Sequence, residues 1–267
     1  GFNFGRNVNE ITLANRNDLS DASVVDQMLA GTLAIEGKPI GSMYAYRFAG
    51  LNQDNGYPLF YAKSGEIVHK ALRQDLELVH RGSIFPKLTG GFDTQVTFMK
   101  SFSLSMNFSY SVGSVSRLPK FYDSSTIDPL TNLSDEWLKC WKQAGDNTIY
   151  PAPYNYTDFR NYLATEAGAA YDISTGLTGS PDPYVLYNYS DIRVAKADFL
   201  KLKMVALSYN MPREVLDYLH ISNMVLRFQV TNLFTIADKK WKGLDPETNG
   251  ANIPSLPTYS FGVNVSF

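Results

Sequence analysis

The chain of 267 residues carries one cysteine, Cys140, and three histidines, His69, His80 and His220. A lone cysteine excludes a disulfide framework and a Cys-cluster zinc site, and three scattered histidines offer no H-E-x-x-H spacing. Charge is scarce too: Asp, Glu, Lys and Arg make up 19% of the chain, against roughly 25% in soluble domains. The 24 basic and 26 acidic residues nearly cancel (24 − 26 = −2), which leaves no basic footprint for nucleic acid or an anionic membrane surface. No apolar run approaches the roughly 18–20 residues of a membrane helix. Asp123, Asp128, Asp135 and Glu136 are too irregularly spaced for a paired-carboxylate hydrolase. Cys140 has no histidine near it in sequence to make it a nucleophile. The residues point to no enzyme, no metal and no cofactor.

Aromatic residues are plentiful, at 13%, mostly 17 Tyr and 16 Phe. Between positions 101 and 112, Phe102, Leu104, Met106, Phe108, Tyr110 and Val112 alternate with Ser103, Ser105, Asn107, Ser109 and Ser111. Successive side chains of a strand point to opposite faces, so this is a strand with one apolar and one polar face. Tyr259, Phe261, Val263, Val265 and Phe267 alternate in the same way, as do Met224, Leu226, Phe228 and Val230. So do Phe92, Val96 and Phe98, with Thr94 as the exception, and Tyr44, Tyr46 and Phe48. From Phe199 to Tyr209 the phase breaks, because Lys201 and Lys203 share parity with Val205, Leu207 and Tyr209. A bulge, or a strand running past the apolar zone, explains the break equally well.

Alternation alone suits a soluble sandwich or a membrane barrel. Length favours the barrel: soluble strands run to about 5–6 residues, membrane strands to about 9–11. Eleven residues at about 3.3 Å, tilted near 45°, rise roughly 25 Å, the height of the apolar band of outer-membrane barrels. The polar face is Ser, Asn, Thr and Gln rather than Lys and Glu, which suits a lumen. Aromatics at strand ends, such as Tyr110, Tyr209, Tyr259 and Phe267, suit bilayer interfaces. The fold class expected is all-β: an antiparallel up-and-down transmembrane barrel with long outer loops.

Strands are expected near 1–10, 38–50, 88–99, 101–112, 196–210, 222–235 and 256–267. Those near 38–50, 101–112 and 222–235 ascend and the others descend. Short links at 99–101 and 211–222 contrast with long ones at 51–87, 113–190 and 235–255. The stretch 11–37 is the one long link on the wrong side. Seven strands are too few for a useful bore, and Gly1–Asn9 already alternates, so a fragment of a larger barrel is expected.

Several segments resemble the carboxyl-terminal part of SusC/RagA-type TonB-dependent outer-membrane transporters. They are GKPIGSMYAYRFAGLNQDNGYPLFY (37–61), GSIFPKLTGGFDTQVTFMKSFSLSMNFSYSVG (82–113), the run Trp141, Gly145, Asp146, Thr148, Pro151, SDIRVAKADFLKLKMVALSYNMP (190–212) and NLFTIADKKWKGLDPE (232–247). The resemblance runs along essentially the whole of 1–267. It implies a barrel of about 22 strands, with an amino-terminal plug domain that is missing from this sequence. It also implies drive from TonB, a SusD-type surface lipoprotein as lid, and oligosaccharide or sometimes peptide as cargo. A passive outer-membrane porin or adhesin, and a soluble β-rich carbohydrate-binding module, are the competing readings.

Ser260, Gly262, Val265 and Phe267 look like the signal read by the barrel-assembly machinery. Residues 133–142 read as a helix capped at Ser134 or Asn132, with Leu133, Trp137, Cys140 and Trp141 on one face. That face either folds its own loop or meets the lid or a sugar. Candidate partner or cargo contacts are Trp137, Trp141, Tyr150, Tyr154, Tyr156 and Trp241, the last beside Lys239, Lys240 and Lys242 in a loop. Asn55-Gly56 reads as a hairpin turn rather than part of a calcium loop.

Overall fold

The computed structural model describes residues 1–14, 20–68, 71–121, 133–153, 183–248 and 255–267. They fold as two compact units. The first takes Gly1–Asn9, Phe85–Ser116 and Ala195–Phe267, and the second Glu10–Ile84 and Arg117–Val194.

The first unit is a six-stranded antiparallel sheet whose spatial order is its chain order. Its strands are β1 (Phe2–Arg6), β2 (Leu88–Phe98), β3 (Phe102–Val112), β4 (Phe199–Asn210), β5 (Asn223–Ala237) and β6 (Thr258–Ser266). Register makes the alternation two-dimensional. Val96, Leu104, Leu207, Phe228 and Phe261 form one row across five strands, and Gln95, Ser105, Ala206, Gln229 and Ser260 form the next row on the opposite face. Rings stack along the apolar face, Phe92 on Phe108 at 4.4 Å and Phe102 against Tyr209 at 4.6 Å. Val96, Leu207, Phe228 and Phe261 are nevertheless exposed. Each such side chain left uncovered forgoes about 1.5–3 kcal/mol of burial, so water is not the medium this face is built for.

The phase break is a bulge. Both ladders of β4 shift register between Leu202 and Met204: against β3 Lys203 is the extra residue, whereas against β5 the single Lys203 faces both Asn232, with φ 53°, and Leu233. Lys201 therefore pairs with Ser109 and Thr235 on the polar face, and Leu202 with Phe108 and Phe234 on the apolar one. The two adjacent glycines of β2 also have a steric reason. A Cβ on Gly90 would meet the Asn3 carbonyl at 2.3 Å and the Tyr110 ring at 2.5–2.8 Å, and one on Gly91 the Phe108 carbonyl at 2.6 Å.

Two expectations are corrected. The segment 38–50 is not a wall strand: β1 pairs directly with β2. Ser42–Tyr46 and Phe48–Leu51 instead join small sheets with Leu78–Ser83 and Pro58–Tyr61 in the second unit. Tyr44, Tyr46 and Phe48 alternate as a wall strand would, but in strands of five and four residues Tyr46 and Phe48 serve a compact core and Tyr44 packs against His80. Consequently β1 runs opposite to β2, not parallel with it, and the wall has six strands here rather than seven. The anomalous link at 11–37 then disappears. The connections 7–87, 113–198 and 238–257 leave from one end of the sheet, and 99–101 and 211–222 from the other.

The second unit gathers Val25, Leu29, Tyr46, Tyr57, Phe60, Leu76, Phe121, Cys140, Tyr184, Leu186 and Tyr187 into one core. Its helix Asp21–Ala30 starts at Ser20, whose hydroxyl accepts the Ser23 N–H, and stops at Gly31 with φ 72°. Val25 and Leu29, one turn apart, are its buried stripe. These cap and stop signals stood in the sequence, where no helix was read.

Candidate functional site

Of the candidate aromatic residues, Trp137, Trp141 and Tyr150 sit on a loop that the W-x-x-x-G-D-x-T-x-x-P run builds from within. The Asp146 carboxylate accepts the N–H groups of Lys142 and Gln143 at 2.8 and 3.1 Å, closing a turn that brings Gly145 N–H onto the Gln53 side chain. Thr148 donates its hydroxyl to the Lys139 carbonyl, and Trp141 N–H donates to Tyr150 O, so the two arms lie side by side. The run then crosses onto the hairpin Phe48–Tyr61, where Ala152 N–H donates to Gly56 O. That hairpin turn is the one expected at Asn55-Gly56. Gly56 has φ +71°, and a Cβ there would come within 2.5 Å of the Trp141 ring. Trp141 is buried against Leu51 and Ala152.

Residues 135–139 form a short 3-10 helix, not an α-helix through 142, and Ser134 makes no side-chain cap bond. The backbone extends at Cys140, so the spacing expected to align Leu133 with Trp137 does not hold, and Leu133 is exposed. Trp137 and Tyr150 are half-buried around Phe121: Trp137 stacks on it at 4.8 Å, and Tyr150 packs at 5.5 Å. Beneath lies a buried ion pair. Arg193 donates to the Glu136 carboxylate at 3.2 Å and to the Pro119 carbonyl, with its guanidinium near the Phe121 and Tyr187 rings. Tyr150 donates its hydroxyl to the other Glu136 oxygen at 3.1 Å. Sequence reasoning weighed Glu136 among irregularly spaced carboxylates and did not single out Arg193. The Ser190-Asp191-Ile192-Arg193 segment is a structural node: Ser190 donates to Tyr187 O, and the Asp191 carboxylate accepts the Phe48 N–H.

Cys140 is buried, and burial, with the Glu136 charge nearby, pushes its thiol up to about 11, which makes it inert. Burial also lowers Arg117 to about 10; it donates to the Leu29 and Tyr44 carbonyls and stacks on Tyr189. Among the described residues no cluster of His, Cys, Asp or Glu is placed to hold a metal ion.

Trp241 belongs to the first unit and is 1% exposed, its indole N–H donating to the Lys196 carbonyl at 2.8 Å. Both Trp141 and Trp241 thus spend their ring faces inside the protein. Tyr154 and Tyr156 lie outside the described residues. Ser260 and Gly262 fall on the polar face of β6 and Val265 on the apolar face, opposite Met224, while Phe267 is 96% exposed.

No family model matches the chain. TonB-dependent receptor P3 of Formosa agariphila is 22% identical over 298 residues, covering all of this chain and 26% of that protein. Among solved structures, the RagAB peptide importer in the 'open-open' state matches with a TM-score of 0.57 at 22% identity, over 86% of this chain and 23% of that one. The RagAB peptide transporter gives 0.59 at 21%, over 88% and 23%. The chain therefore spans about a quarter of the length of the proteins it matches. Taken with the two-faced meander, these likenesses give the described chain the fold of part of the RagAB barrel structures, and along its whole length the chain is similar to part of a TonB-dependent receptor.

Proposed function

We propose that the chain supplies part of the wall and outer loops of a SusC/RagA-type importer, which takes up oligosaccharides or peptides together with a SusD-type lipoprotein lid. The observation that carries this reading is the meander. One face is apolar in register across the sheet, and every long connection leaves from the same end. In a bilayer the apolar face meets lipid, the polar face lines the lumen, and the long connections face the cell exterior. Plug, TonB contact and the remaining strands belong to the rest of the receptor; among the described residues the outer edges of β1 and β6 are unpaired. The peptide named for the RagAB structures supports peptide as a cargo class beside oligosaccharide.

The long connections that make up the second unit then supply the residues that meet the lipoprotein. Trp137, Trp141 and Tyr150 shape them from within, and Ser260, Gly262, Val265 and Phe267 serve assembly. A passive porin differs by needing no TonB.

Orientation is tested by placing single cysteines in the full-length receptor on intact cells. Ser64→Cys should react with a membrane-impermeant maleimide, and Lys100→Cys should react only after the outer membrane is opened. Labelling of Lys100→Cys from outside refutes the orientation, and uptake that survives loss of TonB favours the porin.

A further inference from the structure

The connection from β5 to β6 is tied down more firmly than a strand link requires. Lys201 is 5% exposed, and its ammonium reaches Asp245 at 2.5 Å and Glu247 at 3.2 Å. Asp245 is 2% exposed and saturated: it also accepts the Glu247 N–H and the Ser255 hydroxyl, each at 3.0 Å. Burial alone would raise the Asp245 carboxyl, yet the hydrogen bonds from Lys201, Glu247 and Ser255 outweigh it and hold the group below its ordinary range. Further along, Trp241 anchors to the Lys196 carbonyl, and Lys242 turns the chain with φ 50°.

Direction follows from register. Lys201 stands on the polar face, beside Ser109 and Thr235, so the carboxylates it holds lie over that face and not over the apolar one. The Ser109 hydroxyl is buried there. Buried ion pairs are poor stabilisers but strong determinants of place, because separating them strands an unpaired charge.

We propose that residues 238–248 form a fixed ledge folded over the polar face at the long-connection end of the sheet, locked by Lys201 and Asp245. Given the lumen assignment above, on which this rests, the ledge narrows the outer end of the cargo path. Its Glu247 and Lys203 of β4, paired at 3.3 Å and both partly exposed, lie on the surface that cargo passes.

The test uses Ser109→Cys in the full-length receptor, with a small and a bulky maleimide applied from outside. With the lock intact, Ser109→Cys should resist both. Adding Asp245→Asn or Lys201→Met should speed labelling about tenfold or more, as expected when a local opening becomes frequent. The exchange of Lys201→Asp with Asp245→Lys should restore protection in a receptor that retains heat-resistant migration on gels, which separates unlocking from misfolding. Rapid labelling with the lock intact, equal protection with it broken, or an exchange that restores nothing each overturns the proposal. Ser64→Cys labelling is independent of these results, so a failed ledge leaves the orientation standing, whereas a failed orientation shows at Ser64 and Lys100.

Discussion

Replacing Arg193 with Met removes the cation from a pair whose partners are both nearly inaccessible, with side-chain exposures of 6% for Arg193 and 11% for Glu136. The methionine fills much of the space but takes the guanidinium from the Glu136 carboxylate, which still accepts the Tyr150 hydroxyl. Breaking a buried pair from one side costs about 3–5 kcal/mol, whereas removing both charges is often close to neutral. At 1.36 kcal/mol per factor of ten, opening of the segment around Phe121 and Trp137 should become roughly two to four powers of ten more frequent. Amide exchange read by mass spectrometry on the full-length receptor in lipid measures this directly. Peptides covering 135–152 and 184–193 should lose protection, while those from β3 and β4 should not. Adding Glu136→Gln to Arg193→Met should recover most of the loss. If the single variant keeps full protection, or the double variant is no better than the single, the pair does not hold this loop and the node at 190–193 has been misread.

Gly56→Ala should destabilise the same unit by roughly 1–3 kcal/mol, since it meets both a left-handed φ and the Trp141 ring; a shift of Trp141 fluorescence towards the exposed value reports it. The Cys140 thiol, raised from 9.0 to about 11 mainly by burial, keeps its proton in the folded state after the unfolded thiol has lost its own. Its contribution is therefore intact below about pH 9 and lost between about 9 and 11, so a Cys140→Ser variant should show a flatter stability-versus-pH curve across that window. Deleting Phe267 should lower the amount of receptor inserted without changing uptake per inserted molecule, as counted by surface labelling against transport; normal surface levels would remove the assembly role.

How far the sequence could be read depended on how far each pattern depends on partners. The strands at 101–112, 223–231 and 258–266 were legible because a long run with two-residue period has few competing structures. Tyr44, Tyr46 and Phe48 show the same period over a shorter run, and only pairing with Leu78–Ser83 and Pro58–Tyr61 reveals that they belong to small sheets rather than to the wall. At Lys201 and Lys203 the irregularity was visible but its kind was not, since a bulge is defined by the residues opposite it. The W-x-x-x-G-D-x-T-x-x-P run was visible as a motif. Its purpose was not, because Trp141 is buried by Gly56 and Leu51, far upstream in the chain. Trp241 among three lysines read as an anchoring Trp in a solvated loop, with a basic aromatic patch as the alternative, but the backbone carbonyl that takes its indole is one no local pattern announces.

The central claim is that this sheet has one lipid face and one aqueous face. Spin labels placed singly from Ser103 to Ser109 in the full-length receptor, reconstituted in bilayers, test it by their relative access to oxygen and to a polar nickel chelate. The account predicts a two-residue period, with Leu104, Met106 and Phe108 favouring oxygen and Ser103, Ser105, Asn107 and Ser109 favouring the chelate or shielded from both. A flat profile, or one with the opposite phase, would contradict it.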